Sequence, residues 1–341
     1  MFDSLIGNDE VKDAIRRFIA ARRIPNALLF AGPEGVGKKR FALELAKSII
    51  CREPKEFEPC GKCIACRRAG VFAIPDADAK GEEYDTVFFS EHPDVGMVIP
   101  FNRILRVGSI RALESEANFR PFEAPARIFI IDDAHKMNEA SSNALLKTLE
   151  EPPSTSHIFL ISSKPDALLP TIRSRSQVLR FAPVAIDKIE HLLLTTHEYS
   201  QDDARLIAAS SSGSVASVVS IDVEEFRNRR EAALEILRSA ILDRDLVALL
   251  KKAEIVADTK NKSGFEDFLE ILQMLIHGIW SAHIEKRSSQ TFLEIEELAE
   301  AADTDLLISW LQDIEEIRSA LAVNINKKIA ADALLVGMVA G

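Results

Sequence analysis

The sequence has no apolar run approaching the ~20 residues that cross a bilayer, so no membrane span is expected. Met1-Phe-Asp-Ser4 carries no basic segment leading into an apolar one; a secretory leader is not expected, and the cytoplasm is the expected location. Positive charge is short: 42 Lys and Arg stand against 53 Asp and Glu, a net −11. That balance argues against tight binding to nucleic acid by bulk charge, while leaving room for a local basic patch inside a larger assembly. Cysteine is nearly absent, and its four copies all fall between residues 51 and 66. What remains is ordinary for a globular chain: 47% hydrophobic and 28% charged over 341 residues, enough for two or three domains.

The chain is organised around Gly32-Pro-Glu-Gly-Val-Gly-Lys-Lys39, which almost spells the phosphate loop G-x-x-x-x-G-K-[ST]. The apolar run Ala27–Ala31 leads in and the amphipathic run Arg40–Ile50 leads out, the strand–loop–helix context that the motif requires. Gly32, Gly35 and Gly37 let backbone N–H groups turn inward around phosphate oxygens at a helix N-terminus, with Lys38 against the β- and γ-phosphates. The final position departs from the motif. A hydroxyl there ligates Mg²⁺, whereas Lys39 brings an ammonium with donors only. The residues thus point to the fold of a nucleotide site and put its competence in question. Before the loop, Asn8 or Ser4 is placed to cap a helix over Glu10–Ile19 that Pro25 ends.

Cys51 and Cys60-Gly-Lys-Cys63-Ile-Ala-Cys66 supply four thiols, the set of a tetrahedral structural Zn²⁺. Pro59 and Gly61 suit a tight knuckle, and Lys62, Arg67 and Arg68 favour thiolates. An iron–sulfur cluster takes four cysteines too, and disulfides belong to secreted chains. Zinc is the expected occupant, in a closed, structural site.

Residues 71–90 lack periodicity and read as a surface insertion. Val95–Ile99 reads as a short strand, with His92 before it structural rather than catalytic, and Ile110–Phe119 as a helix closed by Pro121. Arg127-Ile-Phe-Ile-Ile131 suits a buried parallel strand, and Asp132 and Asp133 sit at its C-terminal end, where an open α/β sheet binds its ligand. Asp132 is placed to hold Mg²⁺ through water; Asp133 stands where a water-activating Glu is usual and is one methylene shorter. Ala140–Glu150 is an expected helix stopped by Pro152-Pro153. His157–Ser163 is a second buried strand whose Ser162 or Ser163 either senses a γ-phosphate or caps the next turn. Val178–Phe181 is a last short strand.

Together with Asn143–Pro153 and Thr171-Ile-Arg-Ser-Arg-Ser-Gln177, these motifs resemble the AAA+ clamp-loader subunits of bacterial DNA polymerase III, and among them the delta-prime family. The resemblance is motif-specific over about residues 1–220. It implies an α/β fold: an AAA+ P-loop parallel-sheet domain over 1–181 carrying the cysteine knuckle at 51–66, a small helical lid over 182–222, and an all-α collar over 223–341 that holds a ring of subunits together. It implies as partners the other clamp-loader subunits (tau/gamma and delta) and, through the complex, the sliding clamp and primer-template DNA. Arg175 maps onto the arginine that reaches a neighbour's γ-phosphate in trans. Lys39, Asp133 and the absence of an arginine in Gly213–Val218 together imply a site that holds ATP statically or not at all, as in the stator subunits of such rings; an ATP-hydrolysing motor of tau/gamma type is the competing reading. In the lid, Asp187–Thr196 and Asp202–Ser211 are expected helices, with a third after Gly213. Helices are expected in the collar at Arg227–Leu242, Asp245–Ala257, Phe265–Ile284, Phe292–Ala302 and from Leu306 on, separated by loops such as the charged run at Lys260. Ser141, Ser142 and Lys147 lie on a helix placed to face DNA.

Overall fold

The computed structural model describes residues 2–56, 58–75, 80–196, 199–218, 221–243, 249, 264–285, 293–321 and 326–340. The chain divides into two compact units, Met1–Glu198 with Ser211–Val219, and Tyr199–Ser210 with Ser220–Gly341.

The first unit is built on a six-stranded sheet. Its strands are β1 (Ala27–Ala31), β2 (Phe88–Phe89), β3 (Val95–Val98), β4 (Arg127–Ile131), β5 (Ser156–Ser162) and β6 (Gln177–Arg180). Their spatial order is β2-β3-β4-β5-β1-β6, parallel throughout except for the antiparallel edge strand β2. β1 and β4 are buried at all five positions, as central strands of a parallel sheet are; β1 is apolar throughout and β4 from Ile128 on, with the buried Arg127 at its start. Alternate residues feed two cores. Leu28, Phe30, Ile128, Ile130 and Phe159 face α1 (Asp9–Ala20), α2 (Lys38–Ile50) and α3 (Ile64–Arg68), while Leu29, Phe129, Ile131 and Leu160 face α4 (Val107–Ala117), α5 (Glu139–Glu150) and α6 (Pro170–Ser174). Each such side chain fully removed from water contributes roughly 1.5–3 kcal/mol. α7 (Ile186–Thr196) completes the helices of this unit.

Several expectations need correction here. Asn8 precedes α1 in a left-handed conformation but makes no side-chain cap. Its amide instead pairs with the backbone of Ala182, donating to the carbonyl at 3.2 Å and accepting from the N–H at 2.8 Å. Residues 80–90 are more than a surface insertion: Tyr84, Val87 and Phe88 are buried, and Tyr84 packs on Phe88 and Phe101. Ser141 and Ser142 are buried in the first turn of α5, where Asn138 caps the helix through Ser141 N–H; they do not present a face to DNA. Residues 214–218 form turns where a third lid helix was expected.

The second unit is helical: α8 (Gln201–Ser210), α9 (Val223–Arg238) running into a π turn at Ser239–Asp243, α10 (Gly264–Glu285), α11 (Leu293–Ala301), α12 (Thr304–Leu321) and α13 (Lys327–Ala340). Asp222 caps α9 by accepting Glu225 N–H at 3.0 Å. α10 packs against α9, α11 and α12, and α12 against α13, around buried Trp310, Leu272 and Ile279. The helix expected at Asp245–Ala257, Leu249 aside, and the charged run at Lys260 lie outside the described residues.

Candidate phosphate-loop site and cysteine cluster

The loop after β1 is pinned on both sides by its own chain. Gly32 has φ +155°, and a Cβ there would lie 2.3 Å from the Phe181 carbonyl oxygen, so the close approach demands glycine. Gly32 N–H donates to Ser162 O at 3.2 Å, joining the loop to the end of β5. Gly35, at φ +76°, accepts from the N–H groups of Val215 and Ala216 at 3.0 and 3.1 Å, and a Cβ on it would sit 1.8 Å from Ser214 Oγ. Gly37 is the residue before α2 and is also left-handed.

Lys38, the first residue of α2, is buried, and its ammonium donates to the carbonyls of Gly32, at 2.7 Å, and Pro33. Burial holds its pKa below the usual lysine value, opposed by the charges of Glu34, Asp133 and Asp132. Lys39 Nζ lies 2.9 Å from Asp132 Oδ2, so the ammonium stands against the carboxylate that the motif assigns to metal. Asp132 Oδ1 accepts Asp133 N–H at 3.2 Å. Asp133 itself is left-handed (φ +48°), and its carboxylate is paired with Lys136 at 2.7 Å. Ser162 is buried and its hydroxyl accepts Lys164 N–H at 3.2 Å, the turn-capping role; Ser163 Oγ lies 3.5 Å from His135 Nε2, whose pKa burial lowers. The fold therefore gathers the loop lysines, both acids and Ser162 into one place, with Lys38, Lys39, Asp132 and Asp133 each bonded to a neighbour in the same chain. Sequence reading did not foresee the cover that Ser214–Ala216 forms over Gly35, nor the Lys136 partner of Asp133.

Arg175 follows α6 and stands apart from that cluster. Its guanidinium pairs with Glu150 at 2.8 Å and donates to Thr171 O at 3.2 Å, and 36% of the side chain is exposed. Ser176 is buried, its hydroxyl donating to Ile172 O. Lys147, 83% exposed, reaches Glu114 at 3.4 Å.

The four cysteines come together. Their Sγ atoms all lie within 4.8 Å of one another; tetrahedral zinc, with Zn–S about 2.3 Å, needs sulfurs about 3.8 Å apart, so the set fits a single ion. Backbone N–H groups of Cys60, Cys63 and Cys66 donate to Cys51, Cys60 and Cys63 Sγ at 3.3, 3.3 and 3.5 Å. Burial pushes the Cys63 thiol up, but donors from Cys66 and Arg52 outweigh it and bring the pKa down to about 6, while burial raises Cys51 and Cys66. Two arginines of this segment, Arg52 and Arg68, both pair with Glu123, at 3.2 and 3.1 Å, tying the cluster to the loop before β4.

A phosphate loop after β1, acids after β4 and the parallel order β6-β1-β5-β4-β3 define a P-loop core of the AAA+ class. A family model described as DNA polymerase III, delta subunit, matches residues 7–185, and the chain belongs to that family of clamp-loader subunits. It is 27% identical over 308 residues to the delta′ subunit of DNA polymerase III from Bacillus subtilis, across 89% of this chain and 88% of that protein. Over 175 residues it is 34% identical to the gamma/tau subunit from Mycobacterium bovis, across 51% of this chain but 27% of that protein. A gamma subunit-related protein from Thermotoga maritima superposes with a TM-score of 0.44 at 17% identity, over 95% of this chain and 97% of that one.

Proposed function

We propose that this chain is the stator of its clamp loader: a subunit that does not turn over ATP itself and lends Arg175 to the ATP site of a neighbour. The observation that carries this reading is the Lys39 ammonium at 2.9 Å from Asp132, where hydrolysis would need Mg²⁺. Two further features support it. Asp133, at the position of the general base, is engaged by Lys136, and the segment lying on the loop, Ser214–Ala216, brings backbone N–H groups and no arginine to it. An arginine finger acts by countering charge that develops on the transferred phosphoryl group, so Arg175 can serve a neighbour's chemistry without any turnover here. Cys51, Cys60, Cys63 and Cys66 would hold a structural zinc ion. The expected partners are tau/gamma and delta subunits, with the sliding clamp and primer-template DNA met through the ring, in the cytoplasm.

The likeness to gamma/tau over 175 residues favours a second reading, an ATP-hydrolysing motor. Steady-state hydrolysis by the isolated chain, with Lys38→Ala as control, separates the two. The stator reading expects no turnover above the control; turnover lost in Lys38→Ala moves the motor reading to the front. In the reconstituted loader, Arg175→Ala should lower ATP turnover at the site it serves by about a hundredfold or more, and unchanged turnover would remove the finger from the account.

A further inference from the structure

Lys39 belongs to the first turn of α2 and Asp132 follows β4, with β5 lying between β1 and β4 in the sheet. The contact between them joins the two ends of the site across that intervening strand. Lys38 is occupied by the carbonyls of Gly32 and Pro33, and the Gly35 carbonyl by Val215 and Ala216. We propose that Lys39 is a tethered replacement for a divalent cation. Its ammonium fixes Asp132 as a metal would, and by charge and volume it excludes Mg²⁺, and with it Mg²⁺-nucleotide, from this site. The inference rests on the stator reading and deepens it by assigning the exclusion to one residue.

Three physical points carry it. An ammonium has three donors and no acceptor, so it neutralises Asp132 without adding a metal ligand. Mg²⁺ demands oxygens at about 2.0–2.1 Å in an octahedral shell, and an ammonium already in hydrogen-bond contact with the carboxylate that would hold the ion through water takes that water's place and repels the ion. Mg²⁺ delivered with nucleotide leaves with it, whereas Lys39 is covalently part of α2. The connection from α2 to β4 is therefore made at all nucleotide concentrations, which suits a part that keeps one arrangement while its neighbours cycle.

The test uses the full chain and thermal melting with ADP, each sample run with Mg²⁺ and with EDTA. The wild-type chain should show no Mg²⁺-dependent shift with ADP. Lys39→Thr, which restores the hydroxyl, should gain Mg²⁺-dependent stabilisation corresponding to at least about tenfold tighter ADP binding, and adding Asp132→Asn should remove the gain. Lys39→Met, which removes only the ammonium, should show a smaller gain in the same direction. If Lys39→Thr and Lys39→Met, both folded by circular dichroism, stay as indifferent to Mg²⁺-ADP as the wild type, Lys39 is not the barrier and the inference falls. A Mg²⁺-dependent ADP shift in the wild-type chain overturns it without reference to any variant. Wild-type turnover of Mg²⁺-ATP would sink the stator reading as well, whereas an inert wild type with equally inert variants overturns only the role given to Lys39.

Discussion

Asp94 offers a test of how the cysteine segment is held. Its carboxylate is fully buried. One oxygen accepts Phe122 N–H at 2.8 Å; the other accepts Glu123 and Ala124 N–H at 2.8 and 2.9 Å. Arg127, also buried, lies 3.9 Å away and is held chiefly by Glu116, at 2.9 Å. Asp94 thus fixes the loop whose Glu123 grips Arg52 and Arg68. Replacing it with alanine deprives these three N–H groups of their charged acceptor and leaves the buried Arg127 less compensated. Hydrogen bonds to a charged group contribute about 1.5–3 kcal/mol each, and breaking a buried charged network by removing one partner costs about 3–5 kcal/mol. Asp94→Ala should therefore destabilise the first unit by about 4 kcal/mol. Asp94→Asn keeps an acceptor toward Phe122 but turns an NH₂ toward Glu123 and Ala124, and should cost about 2–3 kcal/mol. At roughly 2–4 °C per kcal/mol for a unit of this size, the alanine variant should melt some ~8–16 °C lower. Urea unfolding followed by circular dichroism, with the transition of each unit resolved, gives the number. A loss below about 1 kcal/mol for Asp94→Ala would refute the argument that these bonds hold the loop.

Other consequences are open to direct measurement. Atomic absorption should find one zinc per chain, and Cys63→Ser should lose it together with stability; full metal retention by the serine variant would contradict a four-thiolate site. Phe159 is fully buried between Phe30 and the first core, so Phe159→Ala should cost about 3–5 kcal/mol in urea unfolding. His92, His135 and His157 all have pKa values lowered by burial. The unfolded chain therefore binds more protons than the folded one below about pH 6.5, and stability should fall as pH falls through that value. Melting temperatures between pH 7.5 and 5.5 should show that slope, and His157→Gln should flatten it; an identical slope in the variant would clear His157 of any part in it.

The strands were legible because a parallel strand buried on both faces needs an unbroken apolar run, and Ala27–Ala31 and the four residues Ile128–Ile131 each supply one. The cysteine cluster was legible because ligands close in sequence are close in space by necessity. What escaped reading depends on partners far along the chain. Nothing local to Asn8 says that its amide will serve Ala182 rather than its own helix. Nothing near Ser214 says that its neighbours will bond to Gly35. Ser141 and Ser142 look like polar surface on a helix, yet they are buried, one of them bonded to Asn138. Tyr84, Val87 and Phe88 are too few and too irregularly spaced to show a period, although the core takes them in. Lys39 could be read as a departure from the motif, but its engagement with Asp132 is a tertiary fact.

The position of β1 bears on how the chain is made. β1 pairs with β5 on one side and β6 on the other, and both are synthesised long after it. While β2, β3 and β4 leave the ribosome they can pair among themselves, but the stretch Ala27–Ala31 has no neighbour until Ser156–Ser162 arrives to slot in beside β4. Loop closure over that span is slow, and an apolar strand waiting for its partners is exposed to aggregation. Nascent chains arrested before residue 156 should therefore keep β1 accessible to chaperones and proteases, and release should come as β5 emerges. The phosphate loop, the most recognisable stretch of the sequence, is then among the last parts of the sheet to be secured.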